Sequence, residues 1–160
     1  MIEDPPTAPL VIRLATPEDI ATIELLDSFS TSPTRDIHRA VEQYFGSVDP
    51  SIHERTLIFL AEMHGVAAAK AELMLPPTNS EQHITTNAIG YIKRVVVHPQ
   101  YRKHGLARHL MLYIIAFARA EQHIAAIDLH VWEGNIPAIR LYESLGFEIK
   151  HHELYFRLSL

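Results

Sequence analysis

The 160-residue chain contains no cysteine. That excludes a disulfide framework, a thiolate metal site and a cysteine nucleophile. No apolar run approaches the length of a membrane span, so no membrane partner is expected. There is no basic excess: 14 Lys and Arg stand against 19 Asp and Glu, a net charge of -5 with His neutral. A nucleic-acid binder is usually basic, so no nucleic-acid partner is expected either. The mild acidity leans toward a small cationic partner. The start, Met-Ile-Glu-Asp-Pro-Pro, lacks the basic lead and apolar centre of a secretion signal. With the missing cysteines, this predicts a cytoplasmic protein. The eleven histidines are scattered, with one adjacent pair (His151, His152) and no H-E-x-x-H spacing. No metal is expected.

What is present reads as an ordinary globular domain, with 48% hydrophobic and 21% charged residues. A chain of this length buries roughly 70% of the surface that its unfolded form exposes. Residues 1–9 are Pro-rich and expected to fray. Residues 10–160 are expected to form a single domain.

Local signals set out the elements. Leu10 to Leu14 alternates as a short strand. Thr16-Pro17-Glu18-Asp19 starts a helix, with Thr as cap, Pro at the first helical position and acids in the first turn. Ile20, Ile23 and Leu26 continue it at helical spacing. A second helix is expected over 36–45. Thr56–Met63 and Val66–Leu75 read as strands joined by a tight His64-Gly65 turn. The alanines at 67–69 would suit a helix by propensity, but the strands on either side favour a strand. Asn87–Val97 follows as a long strand. Ala107, Leu110, Met111, Ile114, Ile115 and Ala118 then mark one face of a helix. Ile124–Trp132 reads as a strand. Asn135 caps a helix with Ala138, Leu141, Tyr142 and Leu145 on its inner face, and Gly146 ends it. Phe147–Ile149 and Leu154–Leu160 are expected as closing strands. The helix between the 91–97 strand and the one ending at Trp132 demands a crossover, hence parallel strands. The fold class is α/β (α+β): a mixed, mostly antiparallel central sheet flanked by helices.

One stretch carries the chemistry. Val95-Val-Val-His-Pro99-Gln-Tyr-Arg102-Lys-His-Gly105-Leu-Ala107 is a β-branched strand, a short loop and a helix start. The helix presents free N–H groups and the positive end of its dipole to that loop. Such a place suits phosphate groups.

Arg102-Lys-His-Gly105-Leu-Ala107 resembles the R/Q-x-x-G-x-G/A signature of the GCN5-related N-acetyltransferases (GNAT). Asn135-x-x-Ala138-x-x-Leu141-Tyr142-x-x-x-Gly146-Phe147 is similar to their C-terminal motif. The resemblance follows element order over 10–160 and is residue-specific over about 87–149. It implies the GNAT fold with a splay between two parallel strands. It implies transfer of acetyl from acetyl-CoA to a primary amine by direct attack in a ternary complex, without metal. The backbone of Arg102, Lys103, His104, Gly105, Leu106 and Ala107 would cradle the pyrophosphate. Ala107 stands where the family often has glycine. The backbone of Val95 and Val97 would pair with the pantetheine arm, and an N–H near Val96 would stabilise the oxyanion. Asn135 would contact the cofactor. Tyr142 would protonate the leaving thiolate; a thiol near ~8.5 and a phenol near ~10 are close enough for that exchange.

The general base is open. The family often has Glu or His two residues before Val95, where this chain has Lys93. Tyr91, Glu72, His130 and Glu133 are the other candidates. The resemblance places the acceptor site on Phe29–Tyr44 and residues 76–86, with Asp27, Asp36 and Glu42 able to attract an amine. That acceptor would be a small molecule, a peptide or a protein amine. Trp132 reads as a packing residue. The Lys93 departure also admits a non-catalytic CoA-binding or interaction module. An uncovered edge at His151–Leu160 would let two copies pair as a homodimer.

Overall fold

The computed structural model describes residues 9–30, 55–75, 88–120, 124–152, 154, 156 and 158–160. The chain divides into two compact units, residues 1–130 and 131–160. The expected helix at 36–45 and the segments around 31–44 and 76–86 lie outside the described residues.

Unit one holds one five-stranded sheet in the order β1 to β5: Leu10–Leu14, Arg55–Met63, Val66–Leu75, Ala88–Val97 and Ile124–Leu129. The first three pairings are antiparallel, and β4 and β5 run parallel, as the crossover required. The β2–β3 turn places His64 at φ 52° and Gly65 at φ 75°. Two consecutive left-handed residues match the twist of a two-residue hairpin.

The first helix starts where expected, with Thr16 as cap, Pro17 at the first position and Glu18 and Asp19 in the first turn, but that turn is 3-10 rather than α. Pro17–Asp19 forms a 3-10 turn, and helix α1 proper spans Ile20–Ser28. Asp19 holds the start: its Oδ2 accepts from the Thr16 N–H at 2.8 Å, and its carboxylate is gripped by Arg13 at 2.8 Å. Helix α2 spans Leu106–Ala120 and buries Leu106, Leu110, Met111, Ile114 and Ala118.

The two helices cover opposite faces of the sheet. Ile23 and Leu26 of α1 pack with Ile58 and Leu60. Phe59, between those two and therefore on the other face, meets Tyr113 and Phe117 of α2 edge-on. Fully burying a side chain such as Ile23 or Leu26 contributes roughly 1.5–3 kcal/mol. The central strand β3 is covered on both faces, with every residue from Ala68 to Leu73 buried. That is why the alanines form strand: burial between two strands and two helices outweighs a helix propensity of tenths of a kcal/mol.

Unit two holds helix α3, Ile136–Ser144. Its capping follows the sequence reading. Asn135 Oδ1 accepts from the Ala138 N–H at 3.4 Å. At the other end Gly146 has φ 97°, its N–H donates to the Glu143 carbonyl, and the Phe147 N–H donates to the Tyr142 carbonyl. This is a Schellman cap, and the Tyr142 and Phe147 rings, 5.9 Å apart, make its apolar contact.

Two expectations fail here. The strand expected to reach Trp132 ends at Leu129, and Trp132 is exposed rather than packed. The closing strands at 147–149 and 154–160 are absent among the described residues. Ile149, Leu154, Phe156, Leu158 and Leu160 are all exposed. Alternation marks a strand only where a ladder partner and an apolar face receive it.

Candidate active site

The sheet opens where β4 outruns β5. The last parallel pairs are Tyr91↔Asp128 and Ile92↔Leu129, and Lys93 to Val97 continue without a β5 partner. On its other side β4 stays bonded to β3, but with a bulge. Lys93 faces Glu72 and Val96 faces Lys70, so Arg94 and Val95 together oppose Ala71. Arg94 takes φ 54° to make this possible. A non-glycine residue there is strained, and such strain gathers at functional sites. No sequence signal marked it, since arginine carries no preference for a left-handed backbone.

The bulge sets which backbone groups face the opening. The His98 N–H donates to the Ala68 carbonyl at 2.8 Å. Alternate residues of a strand direct their polar groups to the same side. Val96 therefore points its N–H at β3 and Val97 turns its own toward the opening, while Val95 stands within the bulge. Arg102 Nε reaches the Val97 carbonyl at 3.3 Å, on that side.

Past Val97 the chain makes a 3-10 turn, Pro99–Tyr101, capped by His98 Nδ1 accepting from the Gln100 N–H. Two left-handed residues follow, Lys103 at φ 66° and Gly105 at φ 72°. A Cβ on Gly105 would meet nothing closer than the His109 ring at 3.6 Å. The glycine is required by its backbone angle rather than by lack of room. The first bond of α2 is His109 N–H to the Gly105 carbonyl. The N–H groups of Leu106 and Ala107 precede it, in the first turn, beyond the reach of the helix's own carbonyls. Arg102, Lys103, His104 and Gly105 are exposed, and Leu106 is buried as the first core residue of α2. Lys93, Arg94, Arg102, Lys103 and Arg108 are five of the fourteen cations, and no acid occurs from Lys93 to Leu110. In an acidic protein this is a locally cationic stretch, and its exposed members Arg102, Lys103 and Arg108 suit an anionic group.

The α1 face of the sheet holds the other polar groups. Asp27, Lys70 and Glu72 are all buried; Lys70 Nζ lies 2.5 Å from Asp27 Oδ1 and 2.8 Å from Glu72 Oε2. The sequence offers Asp27 as able to attract an amine and Glu72 as one of several candidate bases. Both are instead spent on a buried lysine. The spacing of Lys70 and Glu72 puts them on one face of the strand, but only the packing of α1 over that face makes them core. Tyr91 and His130, both on this face, hydrogen-bond through the phenol and Nδ1. Lys93 is half-buried beside them in sequence register, opposite Glu72.

In unit two, Tyr142 is buried, and burial raises its pKa above the ordinary tyrosine value. The phenol keeps its proton across the neutral range. Glu133 and Asn135 are exposed.

Comparison with known proteins agrees with this reading of the fold. The acetyltransferase (GNAT) family model matches residues 19–147. The chain is 32% identical over 105 residues to a glucosamine 6-phosphate N-acetyltransferase of Trypanosoma brucei brucei, covering 66% of this chain and 65% of that one. It is 37% identical over 60 residues to the catalytic subunit of the N-terminal acetyltransferase B complex of Arabidopsis thaliana, covering 38% of this chain and 34% of that one. The chain thus spans less than two thirds of either relative. The solved aminoglycoside N-acetyltransferase AAC(6')-Iy, in complex with CoA, superposes with a TM-score of 0.72 at 17% identity over 99% of this chain and 100% of that one. With the family model matched along most of its length and its strand–loop–helix site in place, this chain belongs to the GNAT acetyltransferase family.

Proposed function

We propose that residues 10–160 form one N-acetyltransferase domain that moves acetyl from acetyl-CoA to a primary amine by direct attack in a ternary complex. The observation that carries this is the free edge of β4 past Ile92, leading straight into the exposed cationic loop 102–105. In this reading the backbone of Arg102, Lys103, His104, Gly105, Leu106 and Ala107 holds the pyrophosphate. Val95 and Val97 pair with the pantetheine arm through their backbone groups. A backbone N–H at the bulge beside Val96 stabilises the charge that develops on the carbonyl oxygen. Because Val96 directs its own N–H to β3, Val95 is the better donor. Asn135 contacts the cofactor, and Tyr142 gives the thiolate its proton. The protein's contribution is orientation and electrostatics, with no covalent intermediate required.

Acceptor identity is a matter for a panel. The relatives named above act on glucosamine 6-phosphate and protein N-termini, and the structural neighbour on aminoglycosides. Each class belongs in the assay. A cytoplasmic location and a homodimer through 151–160 complete the proposal; solution mass at micromolar concentration tests the second. The chain has no cysteine, so thiol release can be followed with no background from the protein. Turnover with one amine class is the expected result. A second reading, a CoA-binding module without transfer, is favoured by Lys93 at the usual base position. Tight acetyl-CoA binding with no turnover on any amine would select it.

A further inference from the structure

The strained residue of the bulge also carries an unmet donor. Arg94 takes φ 54°, a backbone angle that glycine or asparagine adopts at least cost. The bulge alone would therefore favour another residue here, so the arginine is present for its side chain. Arg94 is half-buried, and its Nη1 is buried with no hydrogen-bond partner among the described residues. A guanidinium keeps its charge even when buried. Leaving one of its N–H groups dry and unpartnered is unfavourable, and native structures do so for a reason.

The charges nearby supply no structural reason. Asp27 and Glu72 both close on Lys70. Lys93, opposite Glu72, brings that group to two acids against two cations. Arg94 is a cation in excess of this balance. It lies two residues past Ile92, the last β4 residue paired with β5, on the stretch that borders the opening. The N–H donors of a guanidinium form a planar fork that matches the oxygens of a carboxylate or a phosphate. The diphosphate of the cofactor has its own cradle at 102–107 on the reading above, which leaves the acceptor as the source of such a group.

We propose, on the acetyl-transfer reading, that Arg94 binds an oxyanion of the acceptor, so that the substrate is an amine that also carries a carboxylate or phosphate group. Arg94 is then a specificity residue: no proton moves and no covalent bond changes at it. One contact with a ligand oxyanion satisfies Nη1 and balances the surplus charge. A neutral amine leaves both unmet, and that difference is the discrimination. Holding the acceptor by its anion as well as its amine also fixes the orientation that direct attack needs.

The test is calorimetry with matched amines on the full chain saturated with CoA, which has no acetyl group to transfer. The pairs are glucosamine 6-phosphate against glucosamine, and alanine against alaninamide. The wild type should bind the anionic member of at least one pair on the order of 10- to 100-fold more tightly than its neutral partner. Arg94→Gln should remove that preference while CoA affinity stays at the wild-type level. Arg94→Lys, a point charge without the fork, should keep part of it. Arg94→Gly relieves the backbone, so it should lose the preference with a Tm no lower than that of the wild type. A wild type that favours neither anionic amine overturns the proposal, and so does an Arg94→Gln protein that keeps the preference. Weakened CoA binding in Arg94→Gln, with the amine preference intact, gives the oxyanion to the cofactor and overturns its assignment to the acceptor. Binding is read without turnover, so the two readings fail separately. An Arg94-dependent preference in a protein that acetylates no amine from acetyl-CoA refutes the transfer reading and leaves the anion site standing.

Discussion

The two stretches that carry the family resemblance, 95–107 and 135–147, differ in what their residues do for the fold. In the second, nearly every motif residue has a structural task. Asn135 caps α3, Gly146 supplies the left-handed turn, and Tyr142 and Phe147 close the Schellman contact. In the first, the fold pays without visible return. Lys103 sits at positive φ, as does Arg94 just before the stretch, and four consecutive loop residues, Arg102 to Gly105, stand exposed. A motif explained by capping is weak testimony to chemistry. A motif that costs strain and leaves cations in the open is stronger testimony. The loop thus argues for ligand binding on physical grounds alone, whereas Tyr142 needs the resemblance to be more than a cap residue.

The sharpest way to break that contrast is Tyr142→Phe. The phenyl ring keeps the contact with Phe147, so stability should change by less than about 1 kcal/mol. If the phenol is the general acid, kcat for thiol release should fall by about 100-fold. Unchanged kcat would leave Tyr142 as a cap residue only. Next in size is Gly105→Val. A β-branched residue at φ 72° costs about 1–3 kcal/mol, which lowers Tm by roughly 2–4 °C per kcal/mol at this chain length. The reshaped loop should weaken acetyl-CoA at least tenfold by calorimetry. Full affinity in a folded Gly105→Val protein would remove the loop from the site.

The same contrast explains what was legible from the sequence. Hydrophobic period and turn chemistry located all five strands and three helices that are described, because those signals arise from burial and backbone limits that any fold obeys. The His64-Gly65 hairpin and the Asn135 and Gly146 caps are of that kind. The bulge at Arg94 was invisible, because it comes from the mismatch between β3 and β4 and leaves no compositional trace. The Asp27–Lys70–Glu72 cluster was missed because a charge in sequence reads as surface. Only the packing of α1 over β3 makes it core. The closing strands were overcalled for the opposite reason: the alternation at 154–160 is real, but no strand receives it among the described residues.

The capping side of the contrast predicts smaller effects. Gly146→Ala places a Cβ at φ 97° in open space, so only backbone strain acts. The expected cost is about 1 kcal/mol, read as a Tm shift of a few degrees, with acetyl-CoA affinity unchanged. Affinity loss larger than the stability loss would mean that the second motif serves the ligand as directly as the first.

The smallest effect lies outside both motifs and calibrates them. Asp19 is held to a pKa of about 2, chiefly by its hydrogen bonds from Arg13, with the Thr16 N–H adding to them. Its unfolded value is near ~3.9. A depressed carboxylate contributes stability that is complete above the unfolded pKa and is lost as pH falls toward the folded one. Its share should therefore disappear between about pH 4 and pH 2, and Asp19→Asn should flatten denaturation midpoints in that window while costing about 1 kcal/mol at neutral pH. Because the Arg13–Asp19 pair is partly exposed, salt should shrink the effect. Acetyl-CoA affinity should not move at all, since this pair anchors the start of α1 and touches neither motif. An affinity change in Asp19→Asn would mean that α1 and the loop are coupled, and that stability and binding cannot be separated by region as the two motifs suggest.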